Sequence, residues 1–339
     1  MKAVVKYARG VSNVDLRDVP EPKAGPGQVV VEVKAAGVCG TDIHIYHDEY
    51  ASRPPVVLGH ELAGIVAECG PGATAFAPGD RVTSRTYFYT CGKCRYCQTG
   101  RNNLCASRLS IGSGVNGAMA KYVLVPEDNL HRLPDNVGFL GGALTEPLAC
   151  CVRAVLEANK PMPHEEVLVV GPGAIGLLTL QLVKACGARA TIIGTPADEQ
   201  RLALAEQLGA DEIVLTSHLA GLAARLGDGG FDSVLECSGA AGGVETALRL
   251  VRKGGRYTQV GLTGKKVDFD IDQIVYKEIE FTGTFAQVWS VWEPALRLMA
   301  SGVVRTEPLV SHRFPLSRWQ EAFDTFARRE GVKILLEPE

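Results

Sequence analysis

The sequence lacks the features that would assign it to a membrane, a secretory route or a nucleic acid. No apolar run reaches the roughly 18 residues that a membrane helix needs, because the longest candidate, around Val167–Leu182, is interrupted by glycines and a proline. The opening segment MKAVVKYARG has no apolar core of the signal-peptide kind. A net charge of -3 gives no electrostatic reason to expect a nucleic acid or an anionic membrane as a partner. We therefore expect a cytoplasmic protein.

Internal repeats and low-complexity segments are also absent, so the chain should form ordinary globular domains. A single hydrophobic core stops growing at roughly 250–300 residues, and the 339 residues here favour two domains. Up to about Val125, short strand-like segments alternate with Gly/Pro turns, which is typical of a β-rich, barrel-like domain. After Pro147, strands and helices alternate, which indicates a doubly wound parallel sheet.

The pattern changes again near Phe285, where the alternation of strands and helices ends. The tail contains a strand at 310–314, a helix near 318–327 and a strand at 333–336, and we expect it to rejoin the first domain. The sequence thus predicts an α/β protein. Its β-rich domain comprises residues 1–150 and 285–339, and its parallel-sheet domain comprises residues 151–284.

Four cysteines stand close together in one short segment. Cys91, Cys94, Cys97 and Cys105 follow the spacing C-x2-C-x2-C-x7-C. Four thiolates joined by short loops form the closed tetrahedral site in which structural zinc is held. An iron–sulfur cluster is the alternative, although the ferredoxin pattern ends in C-x3-C-P and Cys105 is followed by Ala106. Because cytosolic thiols stay reduced, metal binding or plain burial rather than disulfide formation explains most of the ten cysteines, and four coincidentally buried cysteines are the second alternative for this quartet.

A second group of metal-binding residue types is spread over the first half of the chain. Cys39 follows the end of a predicted strand, His60 and Glu61 come some twenty residues later, and Glu146 stands at the predicted domain junction. A cysteine, a histidine and a carboxylate suit a catalytic zinc, which keeps one coordination position open for water or substrate. Zinc lowers the pKa of an alcohol bound at such a position and so prepares it to release a hydride.

A glycine-rich turn follows the first predicted strand of the second domain. Gly171, Gly173 and Gly176 form a G-x-G-x-x-G motif between an apolar strand and a helix, with Ile175 inside the motif. The first glycine allows the tight turn, the second lets the backbone approach a pyrophosphate, and the third lets helix and strand pack closely. In this context the motif predicts a dinucleotide site, with a plain strand–helix turn as the alternative.

With these motifs the chain resembles, from end to end, the zinc-dependent medium-chain alcohol dehydrogenases, and within them the polyol and threonine dehydrogenase branch. The resemblance implies a GroES-like catalytic domain, a Rossmann domain, and one catalytic and one structural zinc per chain. It also implies NAD or NADP as cofactor, a small-molecule alcohol or ketone as substrate, and a homodimer or homotetramer.

The same resemblance assigns roles around the catalytic zinc. Cys39 and His60 become zinc ligands, and the carboxylate comes from either Glu61 or Glu146, since family members differ on this point. Thr41 matches the hydroxyl that hands on the alcohol proton.

Three further roles follow from the resemblance. His44 matches the histidine that carries the proton to solvent through a cofactor ribose, and Asp42 matches the carboxylate that orients the ligand histidine. Residues near the ends of the later strands are expected to line the adenosine and the nicotinamide. They are Cys237, Gly261, Leu262, Thr284 and Phe285.

The second strand of the nucleotide domain lacks the acidic residue that usually specifies NAD. Such an acid stands some 20 residues after the glycines and binds the ribose, whereas this chain has Gly194-Thr195-Pro196 there. Thr195 and Arg201 could instead hold a 2′-phosphate, although Asp198 lies nearby and Arg201 could equally be a solvated helix residue. We expect relaxed cofactor choice, tilted to NADP.

The sequence is compatible with several related alcohols as the substrate. Ala286 stands where the sorbitol dehydrogenase branch has an arginine. The segment from Cys39 to Tyr46 is more similar to the corresponding sequence of the threonine dehydrogenase branch. Our leading expectation is a secondary alcohol of a polyol, sugar alcohol or cyclitol, with an L-threonine-type amino alcohol as the alternative. A zinc-free reductase of the same superfamily and a non-catalytic, zinc-stabilised binding protein are the rival classes.

Overall fold

The computed structural model describes residues 1–227 and 229–338, which form two compact units. Unit 1 comprises Met1–Glu146, Val288–Ala300 and Thr306–Glu339, and unit 2 comprises Pro147–Gln287 and Ser301–Arg305. The main segment of unit 2 extends a few residues beyond both ends of the stretch expected from the sequence. Within the residues that the structure describes, no helix is long and apolar enough to cross a membrane.

Unit 1 is built mainly of β-strands. The strands are β1 (Lys2–Lys6), β2 (Val14–Asp18), β3 (Gln28–Gly37), β4 (Val56–Val57), β5 (Glu61–Cys69), β6 (Arg81–Ser84), β7 (Tyr87–Tyr89), β8 (Leu109–Ser110), β9 (Tyr122–Pro126), β10 (Leu130–Arg132), β17 (Val310–Pro315) and β18 (Lys333–Glu337). Seven of them form one sheet in the order β10-β6-β5-β3-β18-β17, in which β9 also pairs with β3. The remaining strands form the sheets β2-β1-β4 and β7-β8.

The short helices of unit 1 connect these strands. They are α1 (Gly40–Tyr46), α2 (Arg95–Gln98), α3 (Phe139–Gly142), α10 (Trp292–Ala300) and α11 (Trp319–Ala327), together with the start of α4 (Thr145–Val152). The core of the unit contains the inward-facing residues of the large sheet and one face of α11, such as Val31, Leu62, Val123 and Phe323.

The carboxyl-terminal strand β18 is inserted into the large sheet beside β3. The two strands are antiparallel, with Leu335 opposite Gly37 and Leu336 opposite Ala36. This register brings Lys333, at the start of β18, to the end of β3, where Cys39 follows. The tail therefore packs on the first half of the chain.

Unit 2 contains a six-stranded parallel sheet in the order β13-β12-β11-β14-β15-β16. Its strands are β11 (Glu166–Val170), β12 (Arg189–Gly194), β13 (Glu212–Leu215), β14 (Phe231–Glu236), β15 (Val251–Gln259) and β16 (Glu280–Gly283). The helices are α5 (Ala174–Ala185), α6 (Glu199–Gln207), α7 (Leu219–Leu226), α8 (Ala241–Leu250) and α9 (Asp272–Tyr276). The strand order reverses between β11 and β14, which is the topological switch point of a Rossmann fold. The predicted combination of a GroES-like domain and a Rossmann domain is confirmed.

The helix at the start of unit 2 changes its geometry. The sequence predicts one helix from Leu148 to Leu156, whereas α4 ends at Val152 and continues as a π-helical segment, Arg153–Asn159. This segment ends at Lys160, whose φ of 55° is left-handed. Segments of this kind are uncommon and often accompany functional sites.

Candidate metal and dinucleotide sites

The cysteine quartet lies together in unit 1, around the short helix α2. All four Sγ atoms lie within 4.8 Å of one another, and the Sγ–Sγ distances are 3.5 Å for Cys94–Cys97, 3.6 Å for Cys91–Cys105 and 4.0 Å for Cys91–Cys97. Four sulfurs bound to one tetrahedral zinc at about 2.3 Å lie about 3.8 Å apart. The arrangement of the quartet therefore fits a single structural zinc ion.

Backbone amides point at the sulfurs of the quartet. The N–H of Cys94 donates to Cys91 Sγ at 3.3 Å, and the N–H of Cys97 donates to Cys94 Sγ at 3.5 Å. Hydrogen bonds from the amides of Lys93 and Cys94 lower the pKa of Cys91 to about 6. Amide donors stabilise the thiolate form, which is the form that binds zinc. These amides favour the thiolate of Cys91, whereas burial and the neighbouring thiols of Cys94 and Cys105 raise the pKa of Cys97 to about 11.

The second metal cluster joins residues from two separate segments of unit 1. Cys39 lies between β3 and α1, His60 follows β4, and Glu61 is the first residue of β5. The sulfur, a ring nitrogen and a carboxylate oxygen of these residues lie within 4.8 Å of one another. Gly59, with a φ of 90°, allows the sharp turn that brings His60 to this position. A soft sulfur, an imidazole and a carboxylate form a donor set that suits catalytic zinc.

Asp42 holds the backbone of this cluster together. Its carboxylate is fully buried and accepts hydrogen bonds from the N–H of Cys39 at 2.9 Å and from the N–H of Gly59 at 3.2 Å. Burial raises the pKa of this carboxyl, although the neighbouring His60 and the two amides oppose the shift. The distance from Asp42 Oδ1 to His60 Nδ1 is 3.8 Å, longer than a hydrogen bond. Asp42 therefore positions the cluster mainly through the backbones of the residues beside it.

Lys333 is a member of the site that the sequence patterns did not reveal. Its buried ammonium donates to Glu61 Oε1 at 2.6 Å and to the backbone oxygen of Val38 at 3.0 Å. The other carboxylate oxygen, Oε2, is also within ion-pair distance of Lys333 but has no hydrogen-bond partner of good geometry among the described residues. A buried carboxylate that lies within 4.8 Å of the Cys39 and His60 donor atoms and is charge-paired with Lys333 fits a metal ligand.

The electrostatic environment of His60 is strongly negative. Burial opposes protonation of this imidazole, but Cys39, Asp42 and Glu146 together raise its pKa well above 6.5. Glu146, in the first turn of α4, is itself buried. Both candidate carboxylates, Glu61 and Glu146, thus lie near the imidazole, and the cluster carries an excess of negative charge suited to a cation.

Helix α1 carries the two residues that resemble a proton relay. Thr41 Oγ1 lies 3.8 Å from Cys39 Sγ, so its hydroxyl is adjacent to the cluster. His44, one helical turn later, is partly exposed, and its Nδ1 forms a hydrogen bond of 2.7 Å with Glu49 Oε2. Residues three positions apart lie on the same helix face. Glu49, which is not among the site residues predicted from the sequence, orients the His44 ring through this hydrogen bond.

The glycine-rich turn has the geometry that its motif predicts. Gly171 has a φ of 98°, and an added Cβ there would lie 2.7 Å from the side chain of Ser238. A Cβ on Gly176 would lie only 1.8 Å from the oxygen of Gly171. Gly173 caps α5, and a Cβ there would meet no atom within 4 Å. The space beside this helix N-terminus fits an incoming phosphate.

The carboxyl ends of β11, β14 and β15 meet beside this turn. The fully buried Glu236 accepts hydrogen bonds from the N–H groups of Ser238 at 2.9 Å and Gly239 at 3.1 Å, and from the side chain of Gln259 at 2.7 Å. Gly239 in turn packs against Leu262. The structure thus brings the predicted residues of two separate strand ends, Cys237 after β14 and Gly261 and Leu262 after β15, to one edge. Glu236, missed from the sequence, organises that edge.

The end of β12 forms a compact polar cluster. Asp198 Oδ2 accepts hydrogen bonds from the N–H of Thr195 at 3.0 Å and from its hydroxyl at 2.7 Å. Asp198 Oδ1 accepts from Arg201 Nη1 at 3.1 Å, and both charged side chains are less than one-fifth exposed. Arg201 is therefore held at the strand end rather than freely solvated, and part of the charge of Asp198 is already compensated.

The predicted nicotinamide residues lie at the far edge of the same sheet. Thr284 follows β16, and its N–H donates to the oxygen of Gln259 at 3.0 Å, which continues the pairing with β15. Phe285 comes next and is half-buried. The last strand of the parallel sheet therefore delivers both residues to the carboxyl edge, where Rossmann folds bind their ligands.

Comparison with known proteins assigns the chain to a family. Residues 25–135 match the family model described as alcohol dehydrogenase GroES-like domain, and residues 174–301 match the one described as zinc-binding dehydrogenase. These matches, with the full-length relatives below, show that the chain belongs to the zinc-dependent medium-chain alcohol dehydrogenase family. The protein is thus a zinc-dependent alcohol dehydrogenase that uses a nicotinamide dinucleotide.

The similarity extends over the whole chain. D-arabitol-phosphate dehydrogenase from Enterococcus avium is 41% identical, over 99% of this chain and 97% of the relative. Sorbitol dehydrogenase from Halalkalibacterium halodurans is also 41% identical, over 100% of this chain and 99% of the relative. A zinc-binding dehydrogenase from Sinorhizobium meliloti 1021, solved with bound NADP, is 36% identical, with a TM-score of 0.90 and 99% coverage of both chains.

Proposed function

We propose that the protein oxidises a secondary alcohol of a sugar alcohol, or of a related polyol or cyclitol, to a ketone. The observation that carries this proposal is the cluster of Cys39, His60 and Glu61 donor atoms with the Thr41 hydroxyl beside it. The two relatives at 41% identity, named for arabitol phosphate and sorbitol, support a polyol and make a phosphorylated polyol part of the same proposal.

We assign the catalytic zinc to Cys39, His60 and Glu61, with Glu146 close to the ion but not bound to it. This choice rests on the donor atoms, since a carboxylate oxygen of Glu61 groups with the Cys39 sulfur and a His60 ring nitrogen within 4.8 Å. The cysteine quartet holds the structural zinc. When bound, zinc lowers the pKa of the alcohol and the nicotinamide accepts the hydride.

The residues of α1 then move the proton. The Thr41 hydroxyl accepts the alcohol proton and passes it toward His44, which releases it to solvent because its ring is partly exposed. The Glu49 carboxylate holds His44 by one ring nitrogen and leaves the other free for this transfer.

Cofactor choice is the second part of the proposal. We propose relaxed use of both dinucleotides with a modest preference for NADP, because Thr195 replaces the usual acid at the end of β12 and the nearby Asp198 is already engaged by Thr195 and Arg201. The NADP-bound relative supports this assignment. Measuring kcat/KM with each cofactor tests it, and a preference for NAD above about a hundredfold contradicts it.

We further propose that the protein acts as a homodimer or homotetramer in the cytoplasm. All four residues of β16, the last strand of the nucleotide sheet, are exposed, and among the described strands β16 pairs with β15 alone, which leaves its other edge for a second copy. Light scattering of the purified protein tests the assembly, and a monomer at micromolar concentration contradicts it.

The decisive experiment for the reaction combines metal analysis with a substrate panel. Zinc-loaded protein is mixed with NAD or NADP and with polyols, polyol phosphates, amino alcohols and simple alcohols, and cofactor reduction is followed by absorbance. We expect two zinc ions per chain and turnover of polyols or their phosphates. Turnover confined to L-threonine, or none with any secondary alcohol, refutes the polyol proposal.

A matched pair of variants tests the zinc assignment. We expect Glu61→Gln to lose one of the two zinc ions per folded chain, whereas Glu146→Gln retains both. The reverse result would transfer the ligand role to Glu146.

A further inference from the structure

Arg153 is a mostly buried cation that the catalytic proposal leaves unused. It is the first residue of the π-helical segment Arg153–Asn159, and its side chain is only 12% exposed. Its Nε lies 3.9 Å from the half-exposed carboxylate of Glu157, too far for a hydrogen bond. A guanidinium is costly to bury unless its N–H groups are satisfied. The partners of Arg153 therefore show what the side chain does.

Those partners are two consecutive backbone carbonyl groups. Arg153 Nη1 donates to the oxygen of Phe285 at 2.7 Å and to the oxygen of Ala286 at 3.2 Å. Both lie just beyond Thr284, whose N–H makes the last hydrogen bond of the β15–β16 pairing. Because hydrogen bonds from a charged donor are roughly twice as strong as neutral ones, Arg153 is a firm anchor for the chain where it leaves the sheet.

The backbone at Ala286 has the conformation that this anchor requires. In an extended chain, consecutive carbonyl groups point in opposite directions, and a helical turn of either hand brings them to one side. Ala286 has a φ of 55°, in the left-handed region that residues other than glycine rarely adopt. Without a glycine, the strained turn depends on an outside contact, and Arg153 provides it.

We propose that Arg153 is a positioning residue that fixes the 284–287 segment in the shape that receives the nicotinamide ring. This inference rests on the proposed function, because Thr284 and Phe285 are assigned to the nicotinamide by family resemblance. The arginine acts through the backbone and does not itself contact the ring in this scheme. Its loss should therefore affect the nicotinamide end of the cofactor and spare the adenosine end.

Binding measurements separate these two ends. Isothermal titration of Arg153→Met is carried out with the reduced dinucleotide that the wild type prefers and with the matching ADP-ribose, which lacks the nicotinamide. We expect the Kd of the dinucleotide to rise about tenfold and that of ADP-ribose to change less than about twofold. Arg153→Lys, which keeps the charge but not the planar fork, should be intermediate, and it replaces Arg153→Met if that variant fails to fold.

Two further variants guard against a merely structural effect. Arg189→Met removes an exposed arginine of the same unit, paired with Glu166 at 2.8 Å, and should leave both Kd values unchanged. Adding Ala286→Gly to Arg153→Met should recover part of the loss, because glycine adopts a positive φ without strain.

The outcomes distinguish this inference from the proposed function. Equal weakening of dinucleotide and ADP-ribose, or unchanged binding of both, overturns the role of Arg153. If the wild type binds no dinucleotide, the proposed reaction fails before Arg153 is tested, and the inference fails with it.

Discussion

Replacing Lys333 by methionine should destabilise the protein more than the loss of any surface charge. The Lys333 side chain is 5% exposed and that of Glu61 is 1% exposed, and the ammonium donates to Glu61 Oε1 at 2.6 Å and to the oxygen of Val38 at 3.0 Å. Methionine has a similar length and fills most of the same volume. The change therefore removes the charge and the hydrogen bonds while leaving little cavity.

The size of the effect follows from the partner that remains. Burial opposes a charge on Lys333, but Glu61, Cys39 and Asp42 raise its pKa above 10.5, so the ammonium is charged at pH 8. Removing one member of a buried ion pair costs about 3–5 kcal/mol, because the other charge is left buried and uncompensated. At about 2–4 °C per kcal/mol, the Tm of the protein without its catalytic zinc should fall by roughly 6–20 °C, and by less once a zinc ion on Glu61 compensates part of the charge.

A surface pair provides the matched control. Lys2 and Asp18 form an ion pair of 2.7 Å, but their side chains are 60% and 77% exposed. Exposed pairs contribute about 0–1 kcal/mol, so Lys2→Met should shift the Tm by no more than a few degrees. Calorimetry at pH 8 compares the two variants.

A double variant completes the test. In Glu61→Gln/Lys333→Met no uncompensated charge remains, so part of the stability lost in Lys333→Met should return. The reasoning is refuted if Lys333→Met loses less than about 1 kcal/mol and cannot be told from Lys2→Met.

Four shorter predictions concern the relay, the quartet, the cofactor and pH. Thr41→Ala should keep both zinc ions and dinucleotide binding but lower kcat at least about a hundredfold, and unchanged turnover would reject the relay. Cys91→Ser should lose one zinc and lower the Tm, so a fully stable variant that lacks only activity argues against a structural zinc. Arg201→Ala should raise the KM for NADP more than that for NAD, and an equal rise in steady-state assays would remove its assigned role. Burial opposes ionisation of Asp232, yet Arg252 and a backbone amide lower its pKa, so its stabilising effect is present near pH 7 and lost as the pH falls through the folded-state pKa. Asp232→Asn should therefore lower the Tm at pH 7, and the difference from wild type should shrink towards pH 3, whereas a difference independent of pH would contradict this assignment.

Several features could be predicted from the sequence because their parts are close together along the chain. The quartet spans fifteen positions from Cys91 to Cys105, and its sulfurs converge once the loop turns. The turn from Gly171 to Gly176 needs only the strand before it and the helix after it. The alternation of strands and helices likewise follows from local hydrophobic patterns, and it led to the Rossmann fold.

Other features depend on contacts between distant segments. In the sequence, Lys333 is an ordinary charged residue at the start of a predicted strand. Only the pairing of β18 with β3 brings it to Glu61, 272 positions away along the chain. Arg153 reaches Phe285 across 132 positions, and its function is not visible in either local pattern. The role of Glu236 is also not visible in the local pattern. The sequence predicts only that it belongs to a strand, whereas in the structure its carboxylate accepts hydrogen bonds from the N–H groups of Ser238 and Gly239 in the turn after that strand.

The sequence by itself therefore determined the fold, the family and the donor types predicted for both metal sites. It could do so because hydrophobic periodicity and short ligand spacings are local properties of the sequence. Only the tertiary structure decided which charges meet. It paired Glu61 with Lys333, engaged Asp198 with Thr195 and Arg201, and bonded Arg153 to the carbonyl group of Phe285, a residue predicted to line the nicotinamide. The physical reason is that the energy of a buried charge depends on its three-dimensional neighbours, and these are set by sheet register and strand order rather than by position in the sequence.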